Sequence, residues 1–245
     1  MKAMILAAGK GTRMLPLTLN KPKALIPVGG IPMIERIIRR LIRFGFDDIT
    51  INIHHFGEQI ISFVEDKKSF GVNIRFSDER DGLLDTGGGL KKASYGFGKS
   101  HVLVHTTDIL TNMDLLSFFK FHEKNGALAT LAVKDRPTSR SLLINDEQEL
   151  CGWKNNLTGE IRISREKIET LHPVAFSAVH VVSPRLFELM SETGSFSIID
   201  VYLRLAKTEQ LLTWRHDQDL WMDLGTPEHL ALAELAIARG LPENR

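Results

Sequence analysis

Two glycines and four cations near the start of the chain have the spacing of a phosphate-binding loop. Gly9 and Gly11 follow a short apolar run, Met4 to Ala8, that predicts a buried strand. Four cations fall within fourteen positions, and these are Lys10, Arg13, Lys21 and Lys23. Because glycine lets backbone N–H groups approach a phosphate and cations neutralise it, this stretch predicts a site for a polyanion.

The loop does not match the two best-known nucleotide-binding patterns. A P-loop requires G-x-x-x-x-G-K-[ST], which residues 9–12 do not supply. A dinucleotide-binding turn requires a third glycine at the position that Met14 occupies. Two alternatives stay open: a different nucleotide loop, in which Arg13 and Lys23 supply charge, or an ordinary glycine turn with incidental lysines.

Two aspartates each follow a short apolar run. Asp108 comes after a run that includes 102–104, and Asp223 ends the run Leu220-Trp221-Met222 ahead of a helix. Open α/β sheets bind ligands at the carboxyl ends of their strands, and Mg²⁺ prefers one or two carboxylates together with substrate phosphates. Asp108 alone could equally cap the following turn, and a lone aspartate ahead of a capped helix, as at Asp223, is more often structural. Together with the cationic loop, the pair predicts metal-assisted phosphoryl transfer.

The elements around these residues predict an α/β fold. Strand and helix patterns alternate through residues 1–135, which indicates a Rossmann-like, mixed but mostly parallel sheet flanked by helices. A glycine-rich turn at Asp85–Gly89 is expected to precede a short helix. After Asp135, hairpin-like strands predict a small β-rich lid. We expect a single domain over 1–245, divided into halves at 1–135 and 136–245.

Length, charge and cysteine content narrow the class of protein. The 245 residues suffice for one domain with a sizeable core. A net charge of +1 gives no general reason to expect a nucleic acid or membrane partner. The single cysteine, Cys151, fits a reducing cytoplasm. We expect neither a signal peptide nor a membrane span, since the apolar runs are too short.

Together these motifs resemble the sugar-1-phosphate nucleotidylyltransferases. The resemblance rests on Leu6–Arg13, Pro22-Lys23, Asp108 and Trp221–Thr226, in that order along residues 3–235. It implies an enzyme of the EC 2.7.7 type that transfers a nucleoside monophosphate from an NTP to a sugar 1-phosphate and releases pyrophosphate. It implies a Rossmann-like catalytic domain without a hexapeptide-repeat domain, Mg²⁺ as cofactor and a cytoplasmic location. It leaves self-association into a homo-oligomer open.

The resemblance also implies roles for individual residues. Arg13 would contact the leaving pyrophosphate, Lys23 the phosphates at the reacting centre, and Asp108 and Asp223 the metal. The residues that would contact the nucleotide are Ala7, Ala8, Gly9, Gly11, Thr12, Arg13, Gly87 and Gly88. The residues in the second half, 136–245, that would contact the sugar are Gly152, Ser177, Ala178 and His180.

One departure and one ambiguity accompany the resemblance. The family usually has Gly-Asp at the first metal position, where this chain has Thr107-Asp108. Asp85–Gly89 resembles the muramic acid-1-phosphate uridylyltransferase type, but mannose- and heptose-1-phosphate guanylyltransferases are similar as well. The base and the sugar therefore stay open. So do a cytidylyltransferase acting on an alcohol or choline phosphate and a catalytically inactive nucleotide-binding regulatory protein.

Overall fold

Strands and helices alternate through the first half of the chain, as its sequence predicts. The structure is a computed structural model and describes residues 1–165 and 170–240. The elements of the first half are β1 (Lys2–Leu6), β2 (Pro27–Val28), β3 (Ile31–Pro32), α1 (Met33–Arg43), β4 (Asp48–Ile53), α2 (Gly57–Asp66), β5 (Asn73–Asp78), α3 (Asp85–Ala93), β6 (Val102–Thr106), β7 (Ile109–Thr111), α4 (Leu115–Asn125) and β8 (Ala129–Lys134).

The second half opens with three strands that form the predicted β-rich segment. Its elements are β9 (Arg140–Ile144), β10 (Leu150–Asn155), β11 (Ile161–Ile163), β12 (His172–Val182), α5 (Arg185–Leu189), α6 (Ile198–Leu205), β13 (Leu211–Arg215), β14 (Trp221–Asp223) and α7 (Pro227–Ala238). Thr226 caps the last helix by accepting a hydrogen bond from the His229 N–H, and Pro227 occupies its first turn, as expected from the sequence.

In the described part of the chain ten strands form one mixed sheet, so the predicted α/β fold is confirmed. Its main path runs β11-β10-β9-β12-β6-β1-β4-β5, and β8 joins it by pairing with both β12 and β13. The strands β6, β1, β4 and β5 are parallel neighbours. Because β12 runs antiparallel to both β6 and β8, the carboxyl ends of β6 and β8 point to the same edge of the sheet.

Core residues cover both faces of the sheet. On β1, the side chain of Met4 packs into one cluster with residues of α3 and α6, while Ala3 and Ile5 pack into the opposite cluster with residues of α1 and α4. This alternation follows from the two-residue period of a strand, and burial of both faces is typical of parallel strands. Over residues 1–165 and 170–240, every helix is too short or too polar to cross a membrane.

A separate two-stranded sheet lies beside the main one. It pairs β7 with β14 in antiparallel fashion and places Asp223 directly opposite Ile109. A small hydrophobic cluster next to this sheet contains Met14, Leu224 and Ala233. This cluster packs the end of the glycine loop against α7. This arrangement brings two segments more than a hundred residues apart to one side of the cleft described below.

The predicted turn at Asp85–Gly89 is wrong, because these residues form the first part of α3. A Cβ atom at Gly88 would lie 2.5 Å from the carbonyl oxygen of Gly194, and one at Gly87 would lie 2.5 Å from the Phe196 ring. The glycines therefore let the helix pack closely against the segment ahead of α6. The close packing of α3 against Gly194 and Phe196, and not a turn conformation, explains why Gly87 and Gly88 are glycines.

Candidate active site

A cleft of about 270 Å³ opens at the carboxyl ends of β1, β4 and β6. Strand ends of this kind are where open α/β sheets bind ligands. The predicted nucleotide and catalytic residues that line the cleft are Ala8, Gly9, Gly11, Thr12, Arg13, Lys23 and Asp108. Gly225 lines it from the side of β14. The structure thus gathers most of the predicted phosphate and metal residues around one space.

The glycine loop is fixed at Gly11. This residue has a φ of +66°, and its carbonyl oxygen accepts hydrogen bonds from the Met14 N–H at 2.9 Å and the Thr18 hydroxyl at 2.9 Å. A Cβ atom here would lie 3.0 Å from the Cβ atom of Lys23. Glycine is therefore needed for the left-handed backbone and for the contact between the loop and Lys23.

Lys23 forms an ion pair with Asp108 across the cleft. Lys23 Nζ donates to Asp108 Oδ2 at 2.7 Å, and the two side chains are 11% and 25% exposed. Burial by itself would raise the pKa of Asp108, but the charge and hydrogen bond of Lys23 outweigh burial and hold the pKa below its usual value. The carboxylate therefore stays ionised at neutral pH.

Backbone hydrogen bonds hold Asp223 close to Asp108. The Leu224 N–H donates to the carbonyl oxygen of Asp108 at 2.7 Å, and the Gly225 N–H donates to Asp223 Oδ1 at 2.7 Å. A Cβ atom at Gly225 would lie 3.0 Å from Arg13 Nη2, so the arginine side chain reaches this backbone. The loop, the lysine and both aspartates consequently meet in one place.

Two carboxylates beside a phosphate loop are a donor set that fits Mg²⁺. This ion takes few protein carboxylates and completes its octahedral shell with waters and substrate phosphates. Among the described residues, no group of three or more His, Cys, Asp and Glu side chains could hold a metal by itself. A cation at Asp108 and Asp223 would thus depend on a phosphate for further oxygen ligands.

Thr107 fits beside Asp108 without backbone strain. Its N–H and its hydroxyl both donate to the carbonyl oxygen of Leu6, at 3.2 and 3.3 Å. Its φ lies outside the left-handed region, so the backbone at this position does not require the glycine that the resemblance led us to expect. The threonine side chain is tied to β1 and leaves the Asp108 carboxylate facing Lys23.

A buried polar network supports the start of the glycine loop. The Ala7 N–H donates to Asn52 Oδ1 at 2.6 Å, and Asn52 Nδ2 donates to Glu79 Oε1 at 2.6 Å. Glu79 Oε2 in turn accepts from the Leu84 N–H at 3.1 Å. The sequence reasoning missed Asn52 and Glu79, although both line the cleft. Their only signal was a polar residue at or near the end of a strand.

Gly87 and Gly88, which we predicted to lie against the base, lie where α3 contacts the segment ahead of α6. The N–H groups of Gly87 and Gly88 both point to the carbonyl oxygen of Phe196, at 2.9 and 3.3 Å. The residues that α3 contributes to the lining of the cleft are Asp85 and Thr86. A base contact from the two glycines stays a prediction.

The four predicted sugar residues lie outside the lining of this cleft. Ser177 is fully buried and bonds His216 Nε2 at 2.7 Å, while His180 is 2% exposed and stacks on the Phe176 ring. Burial lowers the pKa of His180 to about 3, which keeps the ring neutral. In this conformation the side chains of Ser177 and His180 are closed to a ligand.

Gly152 and Ala178, the other two residues predicted to contact the sugar, lie on strands β10 and β12. Gly152 permits a close strand contact, because a Cβ atom there would lie 2.6 Å from the Arg162 carbonyl oxygen. Ala178 is partly exposed, has a φ of +58° and sits in the irregular stretch of β12. A sugar contact from any of these four residues stays a prediction.

The fold and the cleft define an α/β protein with a cationic glycine loop beside two aspartates, and known proteins identify its family. Residues 2–142 match the nucleotidyl transferase family. The chain therefore belongs to the nucleotidyl transferase family. It is 31% identical over 226 residues to the N-acetylmuramate alpha-1-phosphate uridylyltransferase of Neisseria meningitidis serogroup B, covering 92% of this chain and 94% of the relative.

Further similarities extend over nearly the whole length. The protein of the same description from Caulobacter vibrioides is 29% identical over 245 residues, covering 96% of each chain. Among solved structures, the UDP-glucose pyrophosphorylase from Acinetobacter baumanii has a TM-score of 0.76 at 19% identity, covering 96% of this chain and 92% of that one. The structural likeness supports the fold.

Proposed function

We propose that the protein transfers a nucleoside monophosphate from an NTP to a sugar 1-phosphate, forming an NDP-sugar and pyrophosphate. The observation that carries the proposal is the Lys23–Asp108 ion pair in the cleft of the glycine loop. Asp223 is not among the residues that line the cleft, but it is held next to it by the backbone bonds of Leu224 to Asp108 and of Gly225 to its own carboxylate. Family membership and two near-full-length relatives with activities of this class support it.

The reaction brings two anions together, and the chain supplies positive charge that offsets their repulsion. A sugar 1-phosphate is already ionised at neutral pH, so no general base is needed to make the nucleophile. One of its phosphate oxygens attacks the α-phosphorus in line, and the bond from that phosphorus to the pyrophosphate oxygen breaks. Backbone N–H groups at Gly9 and Gly11 and the Arg13 guanidinium hold the leaving pyrophosphate.

Lys23 and the two aspartates act at the phosphate under attack. Asp108 and Asp223 would hold Mg²⁺, which when bound neutralises charge between the acceptor and the α-phosphate. Lys23, already at Asp108, contributes a second positive charge there. The aspartates themselves must remain ionised for this role, and the lowered pKa of Asp108 meets that requirement.

The two uridylyltransferase relatives suggest the first substrates to test. UTP with N-acetylmuramate 1-phosphate is the leading pair, and glucose and mannose 1-phosphates are the next acceptors. The cytoplasm is the expected location, since it supplies nucleoside triphosphates. Self-association into a homo-oligomer stays a prediction.

Pyrophosphate release measured across four NTPs and these sugar 1-phosphates tests the function. We expect rapid release with at least one pair and none when the acceptor is omitted. Release only with CTP and choline phosphate would instead indicate the cytidylyltransferase alternative. Tight nucleotide binding without turnover on any pair would contradict the enzyme and favour a regulatory protein.

A further inference from the structure

An arginine outside the predicted site stacks on the strand that carries Asp223. The guanidinium carbon of Arg136 lies 3.6 Å from the centroid of the Trp221 ring. Arg136 Nη2 donates to the carbonyl oxygen of Phe176 at 2.9 Å, and Nη1 donates to that of Pro137 at 3.3 Å. The indole is itself fixed, because Trp221 Nε1 donates to the carbonyl oxygen of Ser177 at 3.0 Å. The guanidinium is therefore held in one orientation.

This orientation places Arg136 on the same side of β14 as the metal aspartate. Trp221 and Asp223 are two residues apart on one strand, so their side chains share a face. Arg136 also follows β8, whose carboxyl end lies at the same sheet edge as that of β6, the strand leading to Asp108. Burial lowers the pKa of Arg136, and the nearby charge of Asp223 opposes that shift.

Arg136 has hydrogen-bonding capacity that the protein does not use. Its Nε is buried and has no hydrogen-bond partner among residues 1–165 and 170–240, and two of the five guanidinium N–H donors account for the contacts to Phe176 and Pro137. Buried donors without partners are rare and unfavourable. A phosphate oxygen is the acceptor that a fixed, planar guanidinium binds best.

Lys134, the cation two residues before Arg136, donates hydrogen bonds to backbone carbonyl oxygens. Lys134 Nζ donates to the carbonyl oxygens of His216 and Asp219, at 3.5 and 2.9 Å, and to that of Asp217. Lys134 therefore fixes the turn after β13. Arg136, in contrast, lies near Asp223 and keeps donors that its backbone contacts do not use.

We propose that Arg136 binds the phosphate group of the sugar 1-phosphate and holds it beside Asp223 for attack on the α-phosphate. This inference rests on the proposed function, because it assigns the acceptor subsite of that reaction. Arg13 and Lys23 approach from the glycine loop, so Arg136 would supply the positive charge on the acceptor side. Trp221 is then a positioning residue that keeps the guanidinium flat against its ring.

The variant Arg136→Gln tests the subsite, with Arg136→Lys as a second variant. Glutamine removes the charge, so the KM for the sugar 1-phosphate should rise about 10- to 100-fold at saturating NTP. Lysine restores a point charge without the planar stack and should give a smaller rise, about 3- to 10-fold. The KM for the NTP should stay within about twofold. Arg185→Gln is the matched control, since Arg185 lies on α5, is exposed and pairs with Glu209.

Binding measured without turnover separates this inference from the proposed function. Calorimetric titration of glucose 1-phosphate and of UTP into each protein, in Mg²⁺ buffer, should show weaker sugar-phosphate binding in Arg136→Gln and unchanged UTP binding. That result would support the subsite even if the wild-type protein turned over no substrate pair.

Two results would overturn the inference. Equal weakening for UTP and glucose 1-phosphate would place Arg136 at the nucleotide phosphates. No change for either ligand would make the guanidinium purely structural. Circular dichroism and thermal melts of each variant show whether it is folded. If Arg136→Gln does not fold, the same binding and KM measurements on Arg136→Lys test the inference.

Discussion

Lys23 Nζ lies 2.7 Å from Asp108 Oδ2, although 85 residues separate the two along the chain. The contact exists because β1 and β6 are adjacent parallel strands, so the segments that follow them share one edge of the sheet. Burial of Asp108 would favour its neutral form, and the lysine reverses that preference. The ion pair therefore keeps the Asp108 carboxylate charged, as the proposed metal site requires, and places a positive charge where we propose that the phosphates meet.

Replacing either aspartate by asparagine should nearly abolish turnover. Asp108→Asn and Asp223→Asn each remove a carboxylate charge that would hold Mg²⁺, while keeping the shape of the side chain. We expect pyrophosphate release to fall by roughly 10²- to 10⁴-fold. Asp146→Asn is the control, because Asp146 is exposed and pairs with His172 away from the cleft. Near-normal turnover by Asp108→Asn or Asp223→Asn would disprove the metal assignment.

Replacing Lys23 by methionine should reverse the pKa shift of Asp108. In the wild type the folded-state pKa lies below the usual 3.8, so the pair stabilises the fold above that pH. The contribution is lost as the pH falls through the folded-state pKa. Without Lys23 burial dominates, and the pKa of Asp108 should rise above its usual value.

The measurement for Lys23→Met is urea unfolding as a function of pH. The variant should lose about 1–3 kcal/mol relative to the wild type at pH 7, and this deficit should shrink as acid protonates Asp108. The double variant with Asp108→Asn lacks the titrating group, so its deficit should not change over that range. A deficit in Lys23→Met that is independent of pH would show that the ion pair does not set this pKa.

Metal affinity should depend strongly on bound nucleotide. Two carboxylates alone hold Mg²⁺ weakly, and phosphate oxygens supply the further ligands that the ion prefers. Calorimetry should detect little Mg²⁺ binding to the free protein and tighter binding with a non-hydrolysable NTP analogue. Chelation should stop pyrophosphate release, and added Mg²⁺ should restore it. Equal Mg²⁺ affinity with and without the analogue would argue against a shared site.

Residue type and local pattern were enough to predict that the glycine loop and the two aspartates lie close together. Gly9, Asp108 and Asp223 each stand shortly after or at the end of an apolar strand, Arg13 belongs to the loop that begins at Gly9, and the edge of a sheet brings such positions together. The pairing partner of Lys23 could not be read from the sequence, because it depends on the order of strands in the sheet.

Residues defined by tertiary packing were not found from the sequence. The only signal of Asn52 is a polar side chain near the end of an apolar strand, and Arg136 lies in a polar turn that gives no signal. The glycines of α3 resemble a turn locally, and only the close approach of Gly194 and Phe196 explains them. The sugar contact of Ser177 was predicted from the resemblance alone and stays a prediction; that its side chain is fully buried depends on the packing of β12, which the sequence does not give.

Replacing Gly88 by alanine should destabilise the fold, although alanine usually favours a helix. The new methyl group would lie 2.5 Å from the Gly194 carbonyl oxygen, which is backbone and cannot move aside cheaply. We expect a net loss of about 1–3 kcal/mol in the free energy of unfolding in urea. Gly82→Ala is the control, since a Cβ atom there has no neighbour within 4 Å. A stabilised Gly88→Ala protein would show that α3 can shift away from this contact.

Replacing Gly9 by alanine separates ligand contact from folding in the glycine loop. A Cβ atom at Gly9 would have no protein neighbour within 4 Å, and its φ is not positive, so the thermal melt should be unchanged. If the triphosphate lies against this backbone as proposed, the methyl group occupies its place, and the KM for the NTP should rise about tenfold or more. Gly11→Ala differs, because its positive φ and its contact with Lys23 should lower stability as well. An unchanged KM in a folded Gly9→Ala protein would mean that the phosphates bind elsewhere in the cleft.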